Sequence, residues 1–240
     1  SLAGATERNY FVQRPLNSSL LAKASAVLNT SNFYRKRLFK YTCIMPTNTK
    51  SFVFSSIGAS NHADHERAPH DYYATNPSAA EWLLKLETLN HRILEPACGE
   101  GHLSKVLVAN GYDVVSRDIC DYGYGEVADF LSPDNVSFDG DIVTNPPYSL
   151  SLPFVKKAVE IVRPGSKVCM FLRTVFLEGL ARRSFFDANP PETIWVSSRR
   201  IKCALNGDFE RLGQSAVSYS WFVWRKGFTG NPTIKWFNPL

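Results

Sequence analysis

The feature that most constrains the fold is a regular alternation of short apolar segments with helical ones. Strand-length apolar runs occur at residues 92–95, 112–117, 141–144 and 167–172. Segments whose apolar residues recur at helical spacing separate them, at residues 77–86, 102–110 and 152–162. Strands that alternate with helices predict an α/β fold, in which a mostly parallel sheet carries helices on both faces.

The remaining strands complete a predicted sheet of seven. A very short strand is predicted at residues 127–130, and two late strands at 193–197 and 216–224. A helix is predicted at 180–187, but only the polar loop 198–214 separates the two late strands. Two strands without an intervening helix predict an antiparallel pair at one edge of the sheet.

The first 44 residues differ from the rest of the chain. They hold seven basic residues and one acid, are rich in Ser and Asn, and begin with Ser1 rather than Met. An organelle-targeting segment, a basic arm for DNA and upstream sequence joined to a domain beginning at Met45 are the three interpretations. We favour the last, with a poorly structured extension at 1–44 and one domain at 45–240.

Composition excludes several classes of protein. Hydrophobic residues make up 44% of the chain and charged residues 20%, as in soluble globular proteins. No apolar run is long enough to span a bilayer, so we expect no membrane association. The five cysteines form no CxxC pair, which favours a reducing compartment, and we expect a cytoplasmic protein. His62, His65 and His70 lack a regular ligand spacing, and we predict no metal site.

The charge is unevenly distributed along the chain. Residues 45–145 hold six basic and fifteen acidic residues, whereas residues 146–240 hold fourteen basic and six acidic ones. This asymmetry favours a polyanionic partner that one face contacts. Surface helices that carry solvated lysines and arginines are the alternative.

A glycine-rich turn follows the first predicted strand. Its sequence runs from Glu95 through Pro96, Ala97, Cys98, Gly99 and Glu100 to Gly101. Glycines at this place let a ligand lie against the backbone at a helix N-terminus. The Lys-Ser/Thr pair of a phosphate loop is missing, and the acid Glu95 suits a cationic ligand group better than a phosphate. A turn that serves only packing is the alternative.

Two further polar features stand at strand ends. Asp118 ends the second strand, where an acid can hydrogen-bond ribose hydroxyls. Asn145, Pro146, Pro147 and Tyr148 follow the strand at 141–144. The two prolines fix the backbone and supply no N–H, so the Asn145 carboxamide oxygen and the Pro146 carbonyl remain as acceptors. Two acceptors suit an –NH2 group whose nitrogen gains positive charge on alkylation, and the Tyr148 ring offers a face for stacking.

Together these motifs resemble the S-adenosylmethionine-dependent amino-methyltransferases, most closely the adenine-N6 DNA methyltransferases with an Asn-Pro-Pro-Tyr motif. The stretch from about Gly58 to Asn238 resembles the small enzymes of this kind that phages and mobile elements carry. Asp71 to Pro77 is similar to a further motif of the family, which here precedes the glycine turn. The resemblance implies the Rossmann-like class I methyltransferase fold and S-adenosyl-L-methionine as cofactor.

The resemblance also implies roles for individual residues. Asp118 would hold the ribose hydroxyls, Asp129 would accept from the adenine amine of the cofactor, and Phe130 would pack on that ring. Asn145, Pro146 and Pro147 would hold the target amine, and Tyr148 would stack on the target base. The full set of expected cofactor residues is Tyr73, Thr75, Pro77, Glu95, Pro96, Ala97, Gly99, Gly101, Asp118, Ile119, Asp129, Phe130 and Asn145.

DNA is the partner that we expect, with the target adenine flipped out of the duplex. The residues expected to contact nucleic acid are Arg173, Arg199, Arg200, Lys202 and Arg211. The chain leaves no room for a separate target-recognition domain, so specificity would come from loops or from a partner protein. RNA bases, a protein glutamine side chain and a catalytically silent nucleic-acid-binding subunit remain the alternatives.

Overall fold

The computed structural model describes residues 73–205 and 217–238. The extension at 1–44, the histidines before residue 72, Asp71 and Arg211 therefore lie outside the described residues. Within them, the strands in chain order are β1 Tyr73–Ala74, β2 Arg92–Glu95, β3 Asp113–Asp118, β4 Glu126–Val127, β5 Asp141–Thr144, β6 Lys167–Arg173, β7 Thr193–Ser197, β8 Ala204–Leu205, β9 Tyr219–Arg225 and β10 Thr233–Phe237. The α-helices are α1 Pro77–Leu86, α2 His102–Ala109, α3 Ser151–Ile161 and α4 Leu180–Ala188. Two 3₁₀ turns, Tyr148–Leu150 and Thr174–Leu177, follow β5 and β6.

Eight of these strands form one sheet in the order β10-β7-β9-β6-β5-β2-β3-β4. Strand β9 is antiparallel to both of its neighbours, and all the other pairs are parallel. The predicted α/β fold with a mostly parallel sheet is thus confirmed.

The strand count and the edge are corrections to the sequence analysis. The sheet has eight strands rather than seven, and the antiparallel pair β7–β9 does not lie at the edge, because β10 pairs in parallel outside β7. In β10, Ile234 and Trp236 alternate with Thr233 and Lys235, which is a strand signal that the prediction missed, and four of its five residues are exposed. The loop predicted between the late strands also contains β8, which pairs with β1 as a separate antiparallel ribbon.

The core lies on both faces of the sheet. Along β6, Val168, Met170 and Leu172 pack with the α3 side, whereas Cys169 and Phe171 pack with the side of α1 and α2. This alternation is the period of two that a strand covered on both faces requires. Helix α1 begins where the sequence predicts it, with Pro77 in the first turn and the Asn76 side chain accepting from the Ser78 amide at 3.0 Å.

The strand order places a crevice at the carboxyl ends of β2 and β5. These strands are neighbours, and the chain runs outward from them in opposite directions, through β3 and β4 on one side and β6 on the other. Such a switch point in an open α/β sheet is where ligands bind. Residues that directly follow β2 and β5 therefore face the same crevice.

Candidate active site

The turn between β2 and α2 has the backbone that its glycines predict. Gly99 and Gly101 both have positive φ, at 52° and 78°. A Cβ atom at Gly101 would lie 2.4 Å from the ring of Tyr124, so this position admits only glycine. Gly101 is also the N-cap of α2 and supplies no side chain to the first turn. The two glycines therefore supply no side chains where β2 passes into the helix, and the Tyr124 ring packs against Gly101.

Glu95 is the carboxylate at the end of β2, and it is buried with 2% of its surface exposed. The hydroxyl of Ser104, on the first turns of α2, donates to it, and the Ser104 and Ser116 hydroxyls are 2.6 Å apart. Burial raises the pKa of Glu95 to about 8, since desolvation disfavours the charged form. This side chain therefore carries a proton at neutral pH until a cationic group approaches it.

Asp118 ties the end of β3 to the glycine turn. Its two carboxylate oxygens accept from the Gly99 amide at 2.9 Å and from the Cys120 amide at 3.0 Å. The carboxylate is buried, and the next residue, Ile119, is exposed at the rim of the crevice. These two backbone amides fix the position of Asp118. It lies beside Glu95, as expected for residues at the carboxyl ends of neighbouring parallel strands.

Asp129 and Phe130 follow β4. Asp129 is exposed, and its carboxylate accepts from the amide of Leu131 at 2.9 Å. Phe130 is buried in the core, where its ring centroid lies 5.0 Å from that of Phe154. A contact of either residue with the adenine of a cofactor stays a prediction.

Asn145 lies directly beyond β5, and its carboxamide is held at one end. The Nδ2 amine donates to the main-chain carbonyl of Tyr73 at 3.2 Å and to the Cys203 sulfur at 3.9 Å. The Oδ1 oxygen is buried and has no hydrogen-bond partner among the described residues. A buried acceptor without a partner is costly, and a ligand N–H would remove that cost.

Tyr148, in the 3₁₀ turn that follows Pro147, is surrounded by aromatic and basic groups. Its hydroxyl lies 2.6 Å from that of Tyr219, and its ring centroid lies 5.1 Å from that of Tyr73. The guanidinium of Arg173 stands over the Tyr148 ring at 4.0 Å. Burial raises the pKa of Tyr148 far above its ordinary value, so this phenol stays protonated. Stacking of a target base on Tyr148 stays a prediction, and Arg173 already covers part of the ring.

The structure brings most of the predicted site residues to one edge of the sheet. Tyr73 and Thr75 lie just before α1, and Thr75 is buried. Pro96 and Ala97 belong to the glycine turn, while Pro146 is buried between β5 and Tyr148. Arg173 ends β6 at the same edge. Arg199 and Arg200 are exposed in the segment after β7, with Lys202 partly buried beside them.

Four residues of the site escaped the sequence analysis. Ser104 and Ser116 surround Glu95, and Cys203 and Tyr219 surround Asn145 and Tyr148. Ser104 lies three residues beyond the last glycine of the turn. Helical periodicity places it on the face toward the sheet, so the sequence pattern could have indicated it. Cys203 has no such signal, because it reaches the site through the long-range pairing of β8 with β1.

Comparisons with known proteins bear on the fold. No protein-family model matches the sequence, and no curated protein matches it either. Among solved structures, a modification subunit assigned to a type I restriction enzyme of Vibrio vulnificus matches with a TM-score of 0.50 and 12% identity, over 70% of this chain and 47% of that one. A protein of Listeria monocytogenes assigned to the class I S-adenosylmethionine-dependent methyltransferases matches with a TM-score of 0.50 and 16% identity, over 71% of this chain and 67% of that one.

These likenesses agree with the strand order in assigning the fold. This chain has the Rossmann-like fold of class I S-adenosylmethionine-dependent methyltransferases. The chain spans about half the length of the Vibrio subunit that it matches. At these levels of identity the comparisons speak only to the fold, so the chemistry must be argued from the side chains.

The described residues hold neither an apolar helix of membrane-spanning length nor a cluster of metal-ligating side chains. None of the helices in the described ranges is long and apolar enough to cross a membrane. In the same ranges, no three His, Cys, Asp or Glu side chains come together as metal ligands. The polar groups at the crevice are instead a buried carboxyl, a fixed carboxylate and a carboxamide, which suit a ligand with amine and hydroxyl groups.

Proposed function

We propose that this protein is an S-adenosyl-L-methionine-dependent methyltransferase that methylates the exocyclic N6 amine of adenine in DNA. The observation that carries the proposal is the buried, unpartnered Oδ1 of Asn145 at the carboxyl end of β5. Its position beside the glycine turn puts an amine acceptor next to a cofactor-type crevice.

Asn145 and Pro146 would receive the target amine. The Oδ1 of Asn145 and the Pro146 carbonyl would accept its two N–H groups and stabilise positive charge as the nitrogen is alkylated, which is electrostatic stabilisation of the transition state. Pro147 keeps the turn rigid, so the acceptors need little reorganisation. Tyr148 would stack on the flipped base, because an adenine that stays stacked in the duplex cannot reach the pocket.

The residues at the ends of β2 and β3 fit the cofactor. Its sulfonium supplies the methyl group, so the protein must mainly align the acceptor amine with the methyl and the sulfur. The turn carries no side chain at Gly99 and Gly101, and the fixed carboxylate of Asp118 fits ribose hydroxyls. Glu95 fits the ammonium group, because a cation would favour its charged form.

Charge supports a nucleic acid as the substrate. Arg173, Arg199 and Arg200 stand at or after the carboxyl ends of β6 and β7, on the crevice side of the sheet. Lysines and arginines near a reacting base contact the phosphate backbone. The matched Vibrio protein is a modification subunit, and we propose that this chain likewise acts on DNA, with a separate specificity partner. The domain at 45–240 and the cytoplasmic location are parts of the same proposal.

The test is methyl transfer from labelled S-adenosyl-L-methionine to unmethylated duplex DNA, with nucleoside analysis of the product. Total RNA and a protein substrate with an exposed glutamine run in parallel. We expect N6-methyladenine with the wild-type chain, and a loss of at least a hundredfold with Asn145→Ala. Asn110→Ala is the matched control, because this asparagine is the C-cap of α2 and its side-chain amine donates to the Val106 carbonyl there. Labelled RNA or protein with unlabelled DNA would overturn the DNA proposal, and equal activity of Asn145→Ala would overturn the assigned site.

A further inference from the structure

The orientation of the Asn145 carboxamide decides whether it can hold an amine. The two ends of a carboxamide are nearly equal in size, so packing alone does not choose between them. If the carboxamide were flipped, its –NH2 group would face the target amine. Both groups are donors, so no hydrogen bond could form between them. Only the observed orientation presents an acceptor, and it must be selected by hydrogen bonds at the other end.

Both hydrogen bonds that select this orientation come from distant parts of the chain. The Tyr73 carbonyl lies in β1, 72 residues before Asn145, and Cys203 directly precedes β8, 58 residues after it. Strands β1 and β8 pair with Tyr73 opposite Leu205 and Ala74 opposite Ala204. The ribbon therefore brings a carbonyl oxygen and a thiol to the same –NH2 group.

The surroundings of Cys203 keep its sulfur in place as an acceptor. The thiol is free of disulfides, and the hydroxyl groups of Tyr148 and Tyr219, which are 2.6 Å apart, lie beside it. Burial raises the pKa of Cys203 to about 12, so it stays an uncharged thiol at neutral pH. A flipped Asn145 would bring its oxygen against the Tyr73 carbonyl, which is an unfavourable contact between two acceptors. It would also lose the bond in which the Cys203 sulfur accepts from Nδ2.

We propose that Cys203 is a positioning residue that, together with the Tyr73 carbonyl, fixes the Asn145 carboxamide with Oδ1 toward the acceptor amine. The proposal rests on the proposed function for what Oδ1 then binds. The β1–β8 ribbon would then contribute to catalysis, because it fixes the orientation of the Asn145 carboxamide although Asn145 belongs to neither strand.

The experiment compares Cys203→Ala, Cys203→Ser and the control Cys169→Ala. Cys169 is a free, buried cysteine of β6 that packs in the core. With Cys203→Ala we expect kcat for DNA methylation to fall about three- to tenfold, as for the loss of one neutral hydrogen bond, with an unchanged Kd for S-adenosyl-L-methionine. Cys203→Ser keeps an acceptor and is expected to recover most of the lost kcat, whereas Cys169→Ala keeps kcat although it lowers stability.

A second readout separates this proposal from the proposed function. The side-chain ¹⁵N–¹H₂ resonances of Asn145 are assigned by their loss in Asn145→Asp. In Cys203→Ala we expect at least one of the two Asn145 resonances to shift and its proton to exchange faster with water. In Cys169→Ala we expect both resonances to stay unchanged. A wild-type protein without methyl transfer but with this shift would overturn the function and support the positioning role. Unchanged Asn145 resonances, or a wild-type kcat in Cys203→Ala, would overturn the positioning role.

Discussion

At the scale of single residues, the site depends on a few polar groups kept out of water. Glu95 is buried beside Ser104 and has a raised pKa, while Asn145 has a buried oxygen without a partner among the described residues. Each arrangement costs free energy in the unliganded protein. Such costs are typical of functional sites, where a ligand removes them.

The pH dependence of stability follows from Glu95. Its pKa of about 8 in the folded protein exceeds the value of 4.5 for an unperturbed carboxyl, so the folded state binds the proton more tightly. The contribution of Glu95 to stability is thus complete below pH 4.5 and is lost as the pH rises through 8. Glu95→Gln mimics the protonated form and should raise the free energy of unfolding relative to wild type at pH 9 by a few kcal/mol.

The measurement is Tm against pH from 5 to 9 for both proteins. The two curves should lie close together at pH 5 and diverge as the pH rises, with the variant the more stable. Glu81→Gln, which replaces an exposed acid on α1, is the control expected to stay parallel to wild type. Parallel curves for Glu95→Gln would contradict a buried protonated carboxyl.

At the scale of elements, the turn between β2 and α2 can be tested by adding one methyl group. Gly101→Ala and Gly111→Ala both place a Cβ at positive φ, 78° and 87°, so the backbone strain is similar. Only at Gly101 does the new atom meet the Tyr124 ring, at 2.4 Å, while Gly111 has nothing within 4 Å. Gly111→Ala should cost about 1 kcal/mol of stability, and Gly101→Ala about 1–3 kcal/mol more.

Urea unfolding measures the two losses, and calorimetric titration with S-adenosyl-L-methionine measures binding. Gly101→Ala should also weaken cofactor binding, because the turn and Tyr124 must move apart, while Gly111→Ala should leave the Kd unchanged. Equal destabilisation by the two substitutions would show that the contact with Tyr124 carries no energy.

Elements also differ in how far the sequence predicts them. The buried strands β2, β5 and β6 and the start of α1 follow from apolar runs and an Asn-Pro cap. Strand β10 was missed although Ile234 and Trp236 alternate with polar residues, and β8 was missed because two residues carry no period. In the site, Asp118 and Asn145 were predictable from their places after strands. Cys203 was not, since only the ribbon brings it to Asn145.

At the scale of the whole molecule, the two edges of the sheet carry arginines in different settings. At the amino edge, Arg92 lies 3.8 Å from Asp113, and Arg163 lies 3.0 Å from Asp139. At the carboxyl edge, Arg173 stands over the Tyr148 ring, and Arg199 and Arg200 follow β7, which β9 and β6 separate from β5. If DNA lies over the crevice, only arginines at the carboxyl edge should contact its phosphates and displace their counterions.

The salt dependence of DNA binding tests this arrangement. The logarithm of the association constant should fall linearly with the logarithm of salt concentration. Removing two phosphate contacts with Arg199→Ala/Arg200→Ala should reduce the slope by about 1.8, at roughly 0.9 for each phosphate. The double variant Arg92→Ala/Arg163→Ala makes the same change in net charge at the opposite edge and should leave the slope near that of wild type. Fluorescence anisotropy with a labelled duplex from 50 to 300 mM salt measures all three. If both double variants reduced the slope equally, net charge rather than a defined face would attract the DNA. The slope counts phosphates in contact with the protein, so a defined binding face must give different slopes for the two edges.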